Sequence, residues 1–184
     1  GDLERTLDAD FVEYKKPPRR KDLDFLFLLA QPGNARLIKP QLEFYAAGDL
    51  PALSISSVYS SDDDRAGRRD MDGIQFLQMP WFLEPAAEQR AAKSDLAESY
   101  GNQSADLQRL NALGFDAYRL INRGGRLARL SDRTLAETLS GLRMAGGTGT
   151  LTVGEDGWVQ RRLDWAQYRG GWALPADEIP TPGG

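Results

Sequence analysis

The residues available for chemistry are limited by two absences. The 184-residue sequence has 27 Asp or Glu and 23 Lys or Arg, but no His and no Cys. That removes the imidazole base, the thiolate nucleophile and the usual ligands of transition metals. Catalysis would fall to Asp, Glu, Lys, Tyr or Ser. The densest carboxylate group is Asp62, Asp63, Asp64, Asp70 and Asp72. A calcium loop needs oxygen ligands at alternate positions, Gly at the sixth and Glu at the twelfth. With Asp62 first, Gly67 falls sixth, but Ala66 falls fifth and Gly73 twelfth. With Asp70 third and Asp72 fifth, Arg68 is first and Met79 twelfth. Both frames fail, and Arg65, Arg68 and Arg69 are interleaved, so the stretch reads as a solvated loop with no metal site. Glu43, Glu84, Glu88 and Glu98 are scattered, and no local pair would push one carboxyl above another. A carboxylate-based hydrolase therefore has no visible constellation.

The glycine-rich "GGTGT" at 146–150 lacks the Lys-Ser/Thr of a phosphate loop, and no helical pattern follows it. Its glycines instead suit a tight backbone entry into a strand. No nucleotide cofactor is expected. "NQS" at 102–104 matches a glycosylation acceptor, but Ser104 reads better as a helix cap. Trp81, Trp158, Trp165 and Trp172 divide between core packing and binding anchors. Trp81 stands just past a predicted strand end, where open α/β sheets place their crevices.

Composition sets the frame for these residues. The length allows one domain or two small lobes. A net charge of -4 and a pI near 5.0 argue against a nucleic-acid partner. The longest apolar run, 25–30, is strand-sized and far short of a membrane span. No leader or lipid-accepting cysteine is present, so an exported parent is expected to be longer than this chain.

The elements follow from periodicity. Residues 3–9 form a short helical piece, and the basic 14–21 reads as a solvated linker. "DFLFLLA" at 24–30 is continuously apolar, as in a strand buried on both faces. A helix capped by Asn34 and stopped by Gly48 follows, bent or delayed by Pro40. Residues 51–60 and 73–79 read as second and third strands, giving a βαβ unit and one strand more. Helices are expected over 85–100, over 104–122 ended by Gly124-Gly125, and over 132–142 capped by Ser131. Leu107, Leu110, Leu113, Ala117, Leu120 and Ile121 form the apolar stripe of the long helix. Thr150 and Thr152 alternate with Leu151 and Val153, and Asp156-Gly157 turns a β-hairpin.

"DFLFLLAQPGNARLIKPQLEFYAAGDLPALSISSVYS" followed by "DMDGIQFLQMPW" resembles the C-terminal domain of LppC-type lipoproteins, the outer-membrane activators of class A penicillin-binding proteins. "NALGFDAYRLIN" and "GGTGTLTVGEDGWVQRRLDWAQYRGG" continue the resemblance in the same order, over roughly 22–175. The last block alone is similar to type I periplasmic binding proteins generally. The resemblance implies an α/β, type I periplasmic-binding-protein-like fold: a three-layer lobe with a parallel sheet and a C-terminal β-hairpin, plus helices of the second lobe. Residues 1–80 and 145–175 would make the sheet-containing lobe, 81–144 the helical segment of its partner lobe, and 176–184 a flexible tail. Trp81 would pack at the hinge. The family's lipid anchor, helical-repeat domain and first part of the binding-protein-like domain would lie outside this chain. The long helix's stripe would then repack, self-associate or pair with residues elsewhere.

The resemblance implies a non-catalytic regulatory domain without cofactor, on the periplasmic side of the outer membrane, whose partner is a class A peptidoglycan synthase. The alternative on the same fold is a solute-binding module for an amino acid or cell-wall fragment. The cleft- or partner-facing candidates are Ser56, Ser57, Tyr59 and Trp81, at the carboxyl ends of predicted strands.

Overall fold

The computed structural model describes residues 22–176, apart from 46, 60 and 62–64. The helical piece at 3–9, the basic linker at 14–21 and part of the acidic loop lie outside the described residues.

The first unit is a five-stranded sheet. Strands β1 (Leu26–Leu28), β2 (Ala52–Ser54) and β3 (Ile74–Gln78) run parallel, and α1 (Pro32–Phe44) connects the first two. Later strands β7 (Asp164–Arg169) and β8 (Trp172–Pro175) extend it antiparallel, in the order β1-β2-β3-β7-β8. The alternating pattern of β3 turns Ile74, Phe76 and Gln78 inward. Phe76 and Tyr168, diagonal neighbours across β3 and β7, bring their rings to 4.9 Å. Leu28, Ala35, Ala52, Val58, Met71 and Ala166 complete this core.

Two local expectations are corrected. α1 starts at Pro32, because proline suits the first turn, and it continues through Pro40. β1 is buried on one face only: Leu28 is inside, while Phe25, Phe27 and Leu29 are exposed along the sheet edge. An apolar run without alternation does not reveal which face lacks a cover.

Short α2 (Arg65–Arg69) and the β7–β8 turn are locked together. Gly170 and Gly171 both have positive φ, and their N–H groups donate to Asp72 at 2.8 and 2.9 Å. Arg65 and Arg68 donate from Nε to the carbonyls of Gly170 and Gly171, and their guanidinium groups lie over the Trp172 ring. A Cβ on Gly171 would meet the Arg65 carbonyl oxygen at 2.4 Å.

The second unit begins after β3. It comprises α3 (Ala87–Tyr100), α4 (Ala105–Ser131), α5 (Leu135–Leu139) and a separate sheet of β4 (Arg143–Ala145), β5 (Thr150–Val153) and β6 (Val159–Arg162). Ser104 caps α4 as expected, accepting from the Leu107 N–H. Gly124-Gly125 do not end the helix. Gly124 is a contact point instead, since a Cβ there would sit 2.6 Å from Leu139 and 2.9 Å from Leu135 of α5. α4 stops at Ser131 with Asp132 in the left-handed region, and Thr134, bonded reciprocally with Glu137, caps α5.

The placement of 145–175 with the main sheet also changes. The hairpin β5–β6 belongs to the second unit, where Met144, Leu151 and Val153 pack with Leu120 of α4. Only β7 and β8 rejoin the main sheet. Leu163 alone separates β6 from β7, so the chain recrosses between units at that residue.

Replacing Phe76 with Ala is expected to lower the free energy of unfolding by about 3–5 kcal/mol, measured by urea denaturation.

Candidate functional site

The units meet where β3 ends. Pro80 has no N–H to extend the ladder, and Pro80–Phe82 wind into a single tight turn. Trp81, within that turn, is fully buried with Phe82 and Ala112. Its ring lies 5.8 Å from that of Phe115 on α4, and its backbone N–H donates to the Gly147 carbonyl at 3.0 Å. Lys93 of α3 donates to the Trp81 carbonyl at 3.0 Å and lies 5.5 Å from the Phe82 ring. Burial holds the Lys93 ammonium below the usual lysine range.

Opposite Trp81 stands a group that no sequence pattern marked. Asp116, on the inner face of α4, is 2% exposed. Its carboxylate accepts from the Gly147 N–H at 2.7 Å, the Thr148 N–H at 2.8 Å and the Thr148 hydroxyl at 2.7 Å. The glycines of "GGTGT" are required here for space. A Cβ on Gly146 would be 2.5 Å from Asp116 Oδ2, and one on Gly147 would be 2.9 Å from the Trp81 ring. The expected tight backbone entry is present, with a carboxylate and an indole as the bodies it must clear.

Beside this joint lies a recess of about 530 Å³ between the turn after β2 and the start of α4. Ser56, Ser57 and Tyr59 line it from one unit, and Ser104, Asp106 and Arg109 from the other. Arg109 spans it, pairing with Asp106 at 2.6 Å and donating to the Ser56 carbonyl at 3.3 Å. Three of the four candidate residues therefore share one recess. Trp81 does not join them: its side chain is a packing element of the joint. The hydroxyls of Ser54 and Ser57 donate to the carbonyls of Leu28 and Ala30, where they secure the end of β1. Among the described residues no cluster of three or more acidic side chains could hold a metal ion. Nor is any described helix long and apolar enough to cross a membrane.

A mixed sheet that hands its chain to a helical unit and takes it back one hairpin later defines a type I periplasmic-binding-protein-like fold. A Rhodospirillum rubrum protein described as a "putative branched-chain amino acid ABC transporter" shares it at a TM-score of 0.59 and 18% identity, over 83% of this chain and 44% of that one. The LpoA (YraM) C-domain from Haemophilus influenzae, described as a regulator of PBP1A, superposes with a TM-score of 0.61 at 26% identity, over 86% of this chain and 46% of that one. The family described as "LppC putative lipoprotein" matches residues 3–171, and the chain belongs to it. Penicillin-binding protein activator LpoA from Vibrio antiquarius (strain Ex25) is 31% identical over 152 residues, covering 83% of this chain and 23% of that protein. The chain thus spans less than a quarter of the length of that relative.

Asp116→Asn is expected to destabilise the protein by about 2–4 kcal/mol, because an amide cannot accept all three bonds and turns its own donors toward N–H groups. Amide hydrogen exchange at Gly147 and Thr148 should accelerate relative to the β3 core. A second test concerns the crossing. Partial desolvation raises the carboxyl of the exposed Asp164 above its usual range, with Arg162 opposing in part. The ionised form is therefore disfavoured in the fold. That penalty is complete above the folded value and vanishes below the unfolded one. Asp164→Asn should raise the melting temperature near pH 7, and the gain should disappear as the pH approaches 3.

Proposed function

We propose that this chain is part of a lipoprotein on the periplasmic side of the outer membrane that binds a class A penicillin-binding protein and raises its activity, itself making and breaking no bonds. The observation that carries this reading is the relationship to an LpoA activator along 83% of the chain. It is supported by a joint whose polar groups are engaged in holding the two units together. The mixed-sheet unit and the helical unit are the two lobes in this reading. An activator of this kind binds the working conformation of its target better than the resting one, and a tenfold preference corresponds to about 1.4 kcal/mol. The rim formed by Ser56, Ser57 and Tyr59, half-buried at the junction of the lobes, is a second candidate contact in this reading, and Tyr59 packs on the cluster that contains Trp81.

The second reading, a solute-binding module, draws on the recess between the units. Pockets for charged solutes need convergent free polar groups. In this recess Arg109 is already paired with Asp106, and the Ser57 hydroxyl already donates to a carbonyl.

The test is a glycan polymerisation and crosslinking assay on a purified class A synthase, with and without the chain and with its full-length parent. Binding and faster synthesis are expected. Failure of the full-length parent to bind or stimulate would sink the proposal. Thermal melts with amino acids and cell-wall fragments should show no shift. A concentration-dependent rise would favour the solute-binding reading instead.

A further inference from the structure

The helical unit carries a charge pattern that the joint does not use. Between positions 87 and 162 the sequence has ten Arg, one Lys and nine acidic residues, a net +2 within a chain of net -4. Arg119, Asn122, Arg126 and Arg129 recur at three-, four- and three-residue spacing, which places them along one side of α4. Together with Tyr118 and Arg123 they line a groove of about 650 Å³.

Arg119 is held by Glu88 at 3.3 Å. Arg123, Arg126 and Arg129 are exposed, and among the described residues none of them is within ion-pairing distance of a carboxylate. Glu137, at the start of α5, is engaged by the Thr134 N–H and hydroxyl at 2.9 and 2.8 Å. The successive pairs 119/123, 123/126 and 126/129 are like charges at i,i+4 or i,i+3, an arrangement that destabilises an isolated helix. The helix dipole favours cations in the last turn, which accounts for Arg129 but does not reach back to Arg123. The repulsion is thus left for an external anion to relieve.

Two further features indicate the kind of anion. Every cation here is a guanidinium, the group that binds carboxylates in bidentate fashion. Tyr118, 69% exposed, stands at the middle of the helix, and Leu130, 85% exposed, in its last turn. Arginine interleaved with tyrosine is the composition of a protein-binding surface. We propose that the arginine ridge of α4 docks the chain onto an acidic face of its protein partner. This rests on the activator reading and assigns that reading its contact surface.

The experiment measures binding of the chain to a purified class A penicillin-binding protein by biolayer interferometry at low and high salt. Four proteins are compared: wild type, the triple variant R123E/R126E/R129E, the triple variant R123K/R126K/R129K, and R169E on the other unit. Wild-type affinity should fall as salt rises. The triple reversal should weaken binding by at least about tenfold, chiefly through slower association. The lysine variant should bind better than the reversal but worse than wild type, and R169E should match wild type. All three substituted positions are exposed, so each variant should melt within a few degrees of wild type. If the reversal cannot be matched to wild type in the melt, the lysine variant decides alone, and unchanged affinity there overturns the proposal.

Wild-type binding with an unaffected triple reversal would overturn the ridge and leave the activator reading intact. Absence of wild-type binding by the chain would overturn the ridge as the docking surface, and absence of binding by the full-length parent as well would overturn the activator reading. Loss of co-sedimentation with phosphatidylglycerol vesicles, with synthase binding intact, would overturn the proposal by assigning the ridge to a lipid surface.

Discussion

A carboxylate removed from water destabilises a fold unless its oxygens are fully bonded, and the Asp116 carboxylate meets that condition with two backbone N–H groups and one hydroxyl. Those donors belong to the loop that enters β5, so the middle of α4 and the start of the hairpin are held as one body. The same loop presents the Gly147 carbonyl to the Trp81 N–H. Trp81 in turn directs the chain as it leaves β3. The path from sheet to helices thus depends on a chain of contacts running from Asp116 through the 147–148 backbone to the indole. Gly146 and Gly147 have no side chain because the carboxylate and the indole occupy that space.

Much of this architecture was legible in the sequence because it rests on local rules. The alternation in β3 and β5, the Ser104 cap and the Asp156-Gly157 turn are short-range signals, and each appears where its pattern falls. The inner face of α4 was not legible. Of its predicted stripe, Leu107, Leu110, Leu113, Ala117 and Ile121 are exposed and Leu120 alone turns inward, beside the unmarked Ala112, Asp116 and Gly124. Large apolar residues announce a face that can be buried. Small residues and one aspartate announce nothing until the loop that fits them is in place. Gly124-Gly125 mislead for a related reason: glycine permits a helix end without requiring one, and Gly124 instead gives α5 room to pack.

The candidate recess was legible in part. Ser56, Ser57 and Tyr59 follow a strand end, and strand ends gather at one side of a sheet. Trp81 follows another strand end, but its bulk makes it the wedge between units and keeps it off the surface. A signal existed in the glycines of "GGTGT", which imply that something large lies close to the backbone. Their type does not name the residue that approaches. The uncovered apolar faces of α4 and β1 belong with the comparison to the Haemophilus C-domain, 46% of which this chain matches. Covering three leucines would contribute about 5 kcal/mol, a large share of the stability of an ordinary domain.

The passage from β6 to β7 has a mechanical meaning. With Leu163 alone between the two strands, the second crossing has almost no slack. If one unit swings against the other, the displacement must be absorbed by the dihedral angles around that residue, because hydrogen-bonded ladders grip the backbone on both sides. Tension applied to the helical unit would pass straight into β7, the strand that binds the parallel half of the sheet to its antiparallel edge. The two bodies are geared together: a displacement of one reaches the other through the backbone itself.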